Sequence, residues 1–437
     1  MFKKIIGTIG TRLVSAVLTL IIWILVARYM GAANLGTISL IILAVTIVQL
    51  FTNFFGGSAI VYMTPRTGIY KLLIPAYIWS FILTLGATYL LHIMRLISHR
   101  LEVIPSGYFS EVLFLGLIMS LFSANSMFLL GKEKIRLFNI LSLLQVCLLF
   151  ILLAYFLFFR EEAGVMSYYW SIMISFLVVL VVSFIALLPL VKKVPLSGMK
   201  EICREVLRFG TYVQFANIFQ QLNYRLSYYI VDFFLGRVTL GVFTVGVQLS
   251  EGLWLIPRSI GMVQLTRLSN EMDQGYAVRL SLTLLKISWI ITLLILIFLL
   301  MIPAYFFQLV FGSEFSEIKV VIATLGIGIV TLSISIILSQ FFSGVNKPYH
   351  NTISSAIGLI VTIGAGFLLI PRYGIIGAGI TSTISYTVAT IYQFIVFSGI
   401  AKLSFSDLFI KRSEISLLVF ELKKILHGKE EGASTLP

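Results

Sequence analysis

Charge is scarce in this chain. Only 11% of its 437 residues are Asp, Glu, Lys or Arg, against about 25% in soluble domains. With 59% hydrophobic residues and a mean hydropathy of +1.03, that scarcity excludes an ordinary soluble enzyme and defines a polytopic membrane protein. Cysteine is nearly absent. Cys147, inside an apolar run, and Cys203, in a polar linker, are too far apart to imply a disulfide or a cysteine metal framework. The 4 histidines show no Cys/His metal spacing, and no Gly-rich loop carries the Lys of a phosphate cradle, which argues against an ATP-driven pump on this chain.

What is present is a series of long apolar runs. Each holds about 20 residues or more, enough for a hydrocarbon core of about 30 Å. The runs fall at 9–27, 37–63, 72–94, 109–130, 137–159, 166–190, 209–235, 239–262, 281–303, 319–342, 350–370 and 375–400, which predicts twelve transmembrane helices and an all-α integral membrane protein. The first run follows Lys3 and Lys4 without a small-x-small cleavage site and reads as a retained signal anchor.

The net charge of +14 is explained by its distribution. With the N-terminus in the cytoplasm, twenty-one basic residues fall on the inner side and six on the outer. That asymmetry predicts a multi-pass membrane protein with both termini cytoplasmic. The basicity then serves topology and attraction to anionic lipid, and nucleic acid is not an expected partner.

Residues 191–208 form the longest interruption and divide the runs six and six. The expected organisation is an N-terminal lobe at 1–190, a cytoplasmic linker at 191–208, a C-terminal lobe at 209–400 and a cytoplasmic tail at 401–437. Ile202, Val206 and Phe209 share one helical face of the linker, and 413–427 repeats the pattern, so each reads as an amphipathic surface helix. An internal echo supports the division: MGAANLG at 30–36 matches LGRVTLG at 235–241, with Gly31, Leu35 and Gly36 corresponding to Gly236, Leu240 and Gly241 at an offset of 205 residues. Six runs per half make the copies parallel repeats, related by a pseudo-two-fold along the membrane normal.

One run carries charges where a bilayer would penalise them. Gln214, Asn217, Gln221, Arg225, Tyr228 and Asp232 follow helical steps of three or four and form one polar stripe. An Arg or Asp at a helix centre costs about 2.5–3.5 kcal/mol on insertion scales, so the stripe is expected to face a bundle interior or a wet cavity. Matching stripes occur at Thr46, Gln49, Asn53 and Gly57; at Gln248, Glu251, Trp254 and Arg258; at Arg12, Ser15, Thr19 and Trp23; and at Ser382, Ser385, Tyr386 and Gln393. A shared polar cavity is one reading. The other is structural: Arg12, Arg258 and Lys286 snorkel to headgroups, Arg225 pairs with Glu251 or Asp232, and the uncharged polar residues bridge helices.

The stretches 25–62 and 223–257, with LVFGSEF at 309–315, GVNKP at 344–348 and IPRYGIIGAG at 370–379, resemble the polysaccharide-export or O-antigen flippase family (Wzx-type) of the multidrug/oligosaccharidyl-lipid/polysaccharide exporter superfamily. The resemblance implies a V-shaped pair of six-helix lobes around a central cavity that alternates its access. It also implies an undecaprenyl-pyrophosphate-linked oligosaccharide repeat unit as cargo, moved from the cytoplasmic to the outer leaflet for O-antigen or similar surface polysaccharide. Arg225, Arg12 and Arg258 would then receive the pyrophosphate. Gln214, Asn217, Gln221, Gln49, Asn53, Trp23 and Trp254 would contact sugars, and Glu251 or Asp232 would bind a coupling H+ or Na+ or form an ion pair. Relatives often carry Asp two residues after the Arg225 position, where this chain has Ser227.

No catalytic residue, cofactor or metal is expected. The expected partners are the membrane, the lipid-linked glycan, and the polymerase and glycosyltransferases of the same pathway. The longest outer loop offers His99 and Glu102, and the shortness of the outer loops disfavours a glycan polymerase or ligase, which needs acid, base or metal at the surface. A multidrug and toxic compound extruder of the same superfamily is the alternative; its cationic cargo suits an Arg-rich cavity poorly.

Overall fold

A computed structural model describes residues 2–97, 103–191, 198–268, 273–345 and 347–402. His99, Glu102 and the tail helix expected at 413–427 lie outside the described residues, as do the side chains of Arg12 and Phe209. The described chain is helical: α1 (Phe2–Thr52), α2 (Gly57–Thr67), α3 (Ile69–Ile97), α4 (Phe109–Gly131), α5 (Ile135–Phe158), α6 (Val165–Leu187), α7 (Met199–Gly252), α8 (Leu255–Leu268), α9 (Gln274–Met301), α10 (Ala304–Phe311), α11 (Ile318–Gly344) and α12 (Tyr349–Ala401). Among the described residues, nine helices are long and apolar enough to cross a membrane.

The twelve expected runs fall within these elements, and three of the expected turns are single glycines. Gly31 in α1, Gly236 in α7 and Gly374 in α12 leave helical geometry with φ of 77°, 81° and 60°. Only a residue without Cβ takes that conformation cheaply, so each glycine divides its helix into two arms. Gly31 and Gly236 are the echoed glycines. α1 and α7 therefore share one construction, a first arm, a glycine turn and a second arm.

The expected linker is part of this construction. Residues 199–208 are the first turns of α7, continuous with the span that follows. Val206 is buried, and Ile202, Cys203 and Leu207 pack with it against Phe55, Ala59 and Leu129 of the first half. The face predicted for Ile202 and Val206 exists, and it covers protein.

The two halves meet where α1 and α7 run along each other. At the turn end of this seam, a β-carbon on Gly36 would strike the Arg237 carbonyl oxygen and one on Gly241 would strike that of Ala32. At the other end, Gly210 sits as closely on the Phe54 carbonyl, and Gln214 donates to the Leu50 carbonyl at 2.9 Å. Glycine at these positions lets backbones touch, which is how apolar helices associate where lipid provides no hydrophobic drive.

Buried polar groups hold each half internally. In the first, Asn125 accepts from the Tyr77 hydroxyl and donates to Ser183 at 3.0 Å. In the second, Asn223 of α7 accepts from Thr362 at 2.8 Å and from Ser385 at 2.7 Å. Gln393 accepts from Ser335 and donates to Ser339 and Asn351. The stripe at Ser382, Ser385, Tyr386 and Gln393 is thus helix-bridging glue, buried throughout, and none of the four lines the cavity beside Arg225. Lys286 also departs from expectation: at 6% exposure it lies inside the second half, on the α9 face that carries buried Leu282 and Leu285, and does not snorkel.

Candidate functional site

Helical spacing puts the α7 stripe on one face, and the structure divides that face by depth. Arg225 lies at its middle. Its Nη1 and Nη2 each donate to one carboxylate oxygen of Glu251, both at 3.0 Å, and Nη1 also donates to the Tyr228 hydroxyl at 2.8 Å. Glu251 sits at the end of the second arm of α7, so the turn at Gly236 folds the helix back and brings residues 26 positions apart into a fork-to-fork pair. Bidentate geometry of this kind is among the strongest hydrogen bonding available to Arg. The Arg225 side chain keeps 25% exposure and that of Glu251 14%, so the pair is reachable.

Of the two partners open to Arg225, the structure selects Glu251. Asp232 stands 3.0 Å from Nε of Arg237, a contact that bridges the Gly236 turn. Arg258 is exposed and lies over the Trp254 ring, 5.3 Å from its centroid. Trp254 itself is buried, packed against Tyr224 and Tyr386, and presents no free face to a sugar in this state.

The remaining candidates spread along the seam. Gln214 is buried against Leu50, and Asn217, exposed, donates to the Gln214 side-chain Oε1 at 3.3 Å. Gln49, Asn53 and Trp23 are half-buried, with Trp23 packed on the main apolar core. Among the described residues, no group of three or more His, Cys, Asp or Glu side chains is placed to hold a metal ion.

A cavity of about 300 Å³ lies between the halves. Leu43, Thr46, Ile47 and Leu50 of the second arm of α1 form one wall, and Gln221, Arg225, Tyr229 and Asp232 lie along the α7 wall; Leu91 and Met94 of α3 and Val103 complete it. The structure brings Gln221, Arg225 and Asp232 to this space, and Glu251 reaches it through Arg225. The stripe left out Tyr229, which lies one helical turn after Arg225 and beside the stripe residue Tyr228. Its hydroxyl is buried and has no hydrogen-bond partner among the described residues.

Paired halves, glycine-turned helices and a cavity between them define an all-α membrane protein of two helical lobes. The inward-facing conformation of a multidrug resistance MATE family transporter of the MOP superfamily superposes with a TM-score of 0.70 at 16% identity, covering 89% of this chain and 96% of that one. The lipid II flippase MurJ, in an inward closed conformation, gives 0.71 at 13% identity over 98% and 94%. These identities speak for the fold. The family described as polysaccharide biosynthesis protein matches residues 25–320, and the chain belongs to that family. The capsular polysaccharide biosynthesis protein CapF of Staphylococcus aureus is 26% identical over 201 residues, 45% of this chain and 50% of that protein. The chain spans about half the length of the curated relatives it matches.

Proposed function

We propose that this protein is a flippase that carries a polyprenyl-pyrophosphate-linked oligosaccharide repeat unit from the cytoplasmic to the outer leaflet for surface polysaccharide assembly. The observation that carries this reading is Arg225 in the cavity between the two halves, held by a single carboxylate, in a chain of the polysaccharide biosynthesis family. A guanidinium that forms a fork with carboxylate forms the same fork with phosphate. The cargo pyrophosphate exchanges for Glu251 on Arg225, and the released carboxylate takes up H+ or Na+.

That exchange biases the two access states, because a ligand shifts a conformational equilibrium only through unequal affinity for its two forms. The six-helix halves at 1–190 and 209–400 rock about the α1–α7 seam, which is closed at both ends in this structure. Arg12 and Arg258 guide the pyrophosphate from the cytoplasmic side. Gln221, Gln49 and Asn53 meet the sugars as the seam opens. The protein sits in the inner membrane with both termini cytoplasmic, and hands its cargo to the polymerase of the same pathway.

Deleting the gene in its host tests the reading. Polyprenyl-linked glycan is expected to accumulate on the cytoplasmic side and to be cleared by the wild-type gene but not by Arg225→Ala. An unchanged lipid pool with intact surface polysaccharide, and altered drug resistance on overexpression, would contradict it in favour of drug export.

A further inference from the structure

The cavity beside Arg225 is a poor container for sugars. Its volume is about 300 Å³, within the range of small-molecule ligand pockets. Its walls are aliphatic and aromatic: Leu43, Ile47 and Leu50 face Leu222, Leu226 and Phe233.

Each charged wall group already has a partner. Arg225 is forked onto Glu251, and Asp232 stands 3.0 Å from Arg237. A polyhydroxylated occupant would leave its hydroxyls facing apolar walls, whereas an apolar chain loses nothing there. Of the uncharged polar wall groups, Thr46 donates to the Ile42 carbonyl, Gln221 lies one turn before Arg225, and the Tyr229 hydroxyl is buried without a partner among the described residues. It lies one helical turn from Arg225, on the same side of α7. A mostly apolar pocket with a few placed polar groups orients a ligand that is itself apolar with one polar end.

We infer that this cavity holds the isoprenyl units nearest the head of a polyprenyl carrier, with the Tyr229 hydroxyl donating to the phosphate oxygen that follows them. The source of the chain rests on the flippase reading. The chain segment fills the pocket, the phosphates lie between Tyr229 and Arg225, and the glycan extends past Arg225 toward Gln221, Gln49 and Asn53. Recognition of the carrier is then independent of the sugars it bears.

The test uses the full chain in lipid nanodiscs and two photoactivatable probes, undecaprenyl phosphate without sugar and phosphatidylglycerol, each with a diazirine on its hydrocarbon. The polyprenyl probe is expected to label residues within 43–50 and 221–233, and the phosphatidylglycerol probe is not. Leu226→Trp, which fills the pocket, should cut that labelling about tenfold, while Ile78→Trp, at an exposed position, should leave it unchanged. Should Leu226→Trp lower the melting temperature, Ile47→Phe makes the same comparison with a smaller change. Labelling confined to exposed positions such as Ile78 and Phe81, equal labelling by both probes, or full labelling of a well-folded Leu226→Trp overturns the inference. Wild-type flipping without cavity labelling sinks it and leaves the flippase reading standing; cavity labelling in a protein that moves no cargo does the reverse.

Discussion

Gly36 and Gly241 make one contact twice. Gly36 lies against the carbonyl of Arg237, and Gly241 against the carbonyl of Ala32. Exchanging each residue with its partner 205 positions away turns the first contact into the second. A two-fold axis produces this self-complementary pattern between identical subunits; here it joins two halves of one chain.

Substitution at these glycines tests whether the seam end closes through backbone contact. Gly36→Ala and Gly241→Ala each push a methyl into a carbonyl, and overpacking of this kind costs about 1–3 kcal/mol. Spin labels at the exposed positions 29 and 238, flanking the two turns, should report a longer distance in the double variant. An unchanged distance distribution would rule out a pivot at this contact.

The Arg225–Glu251 fork predicts coupled stability. Arg225→Ala or Glu251→Gln alone should lower stability by about 2–4 kcal/mol, because each strands the other group, and the double variant should lose less than the sum by about 1–3 kcal/mol. Thermal melts of the four proteins in one detergent measure the difference. Strict additivity would mean that the two side chains do not act as a pair.

A second bridge between the halves lies at the Gly31 turn. The Glu314 carboxylate accepts from the Ala32 N–H at 2.7 Å, and Arg28 donates to the Leu309 carbonyl at 2.7 Å. Ala32 opens the second arm of α1, so a carboxylate from the other half caps a helix N-terminus, where negative charge is favoured. Glu314→Ala should cost about 1 kcal/mol and speed amide exchange in the first turn of that arm, at 32–36. Exchange equal to wild type there would remove the cap from the account.

Asn223 and Asn217 lie six residues apart on α7 and should differ sharply. Asn223→Leu leaves the Thr362 and Ser385 hydroxyls without their shared acceptor and should destabilise by about 1–3 kcal/mol, whereas Asn217→Leu, at an exposed position, should stay within about 0.5 kcal/mol. Similar melting temperatures for the two variants would contradict this division.

The helical class and the polar stripe of α7 were legible in the sequence because apolar run length and helical spacing are local properties. The glycine echo was legible as well, since a turn with positive φ needs glycine in both copies. How tight the turns at Gly31, Gly236 and Gly374 are was not, because the sequence does not show that one glycine makes each of them. Spacing left Arg225 two carboxylate partners, and only the fold-back at Gly236 selects Glu251. The Glu314 cap joins residues 282 positions apart, beyond any periodic signal. Ser385 and Gln393 kept the spacing of a cavity lining yet became internal glue, since periodicity identifies a polar face without saying what covers it.

Flipping by the purified protein tests the central claim most directly. The wild-type chain and Arg225→Ala are reconstituted into liposomes carrying a fluorescent polyprenyl-pyrophosphate oligosaccharide, and the fraction reached by an added membrane-impermeant quencher is followed over time. The account predicts equilibration across the bilayer with wild type and little or none with a folded Arg225→Ala. Equal rates for the two proteins, or no flipping by wild type, would contradict it.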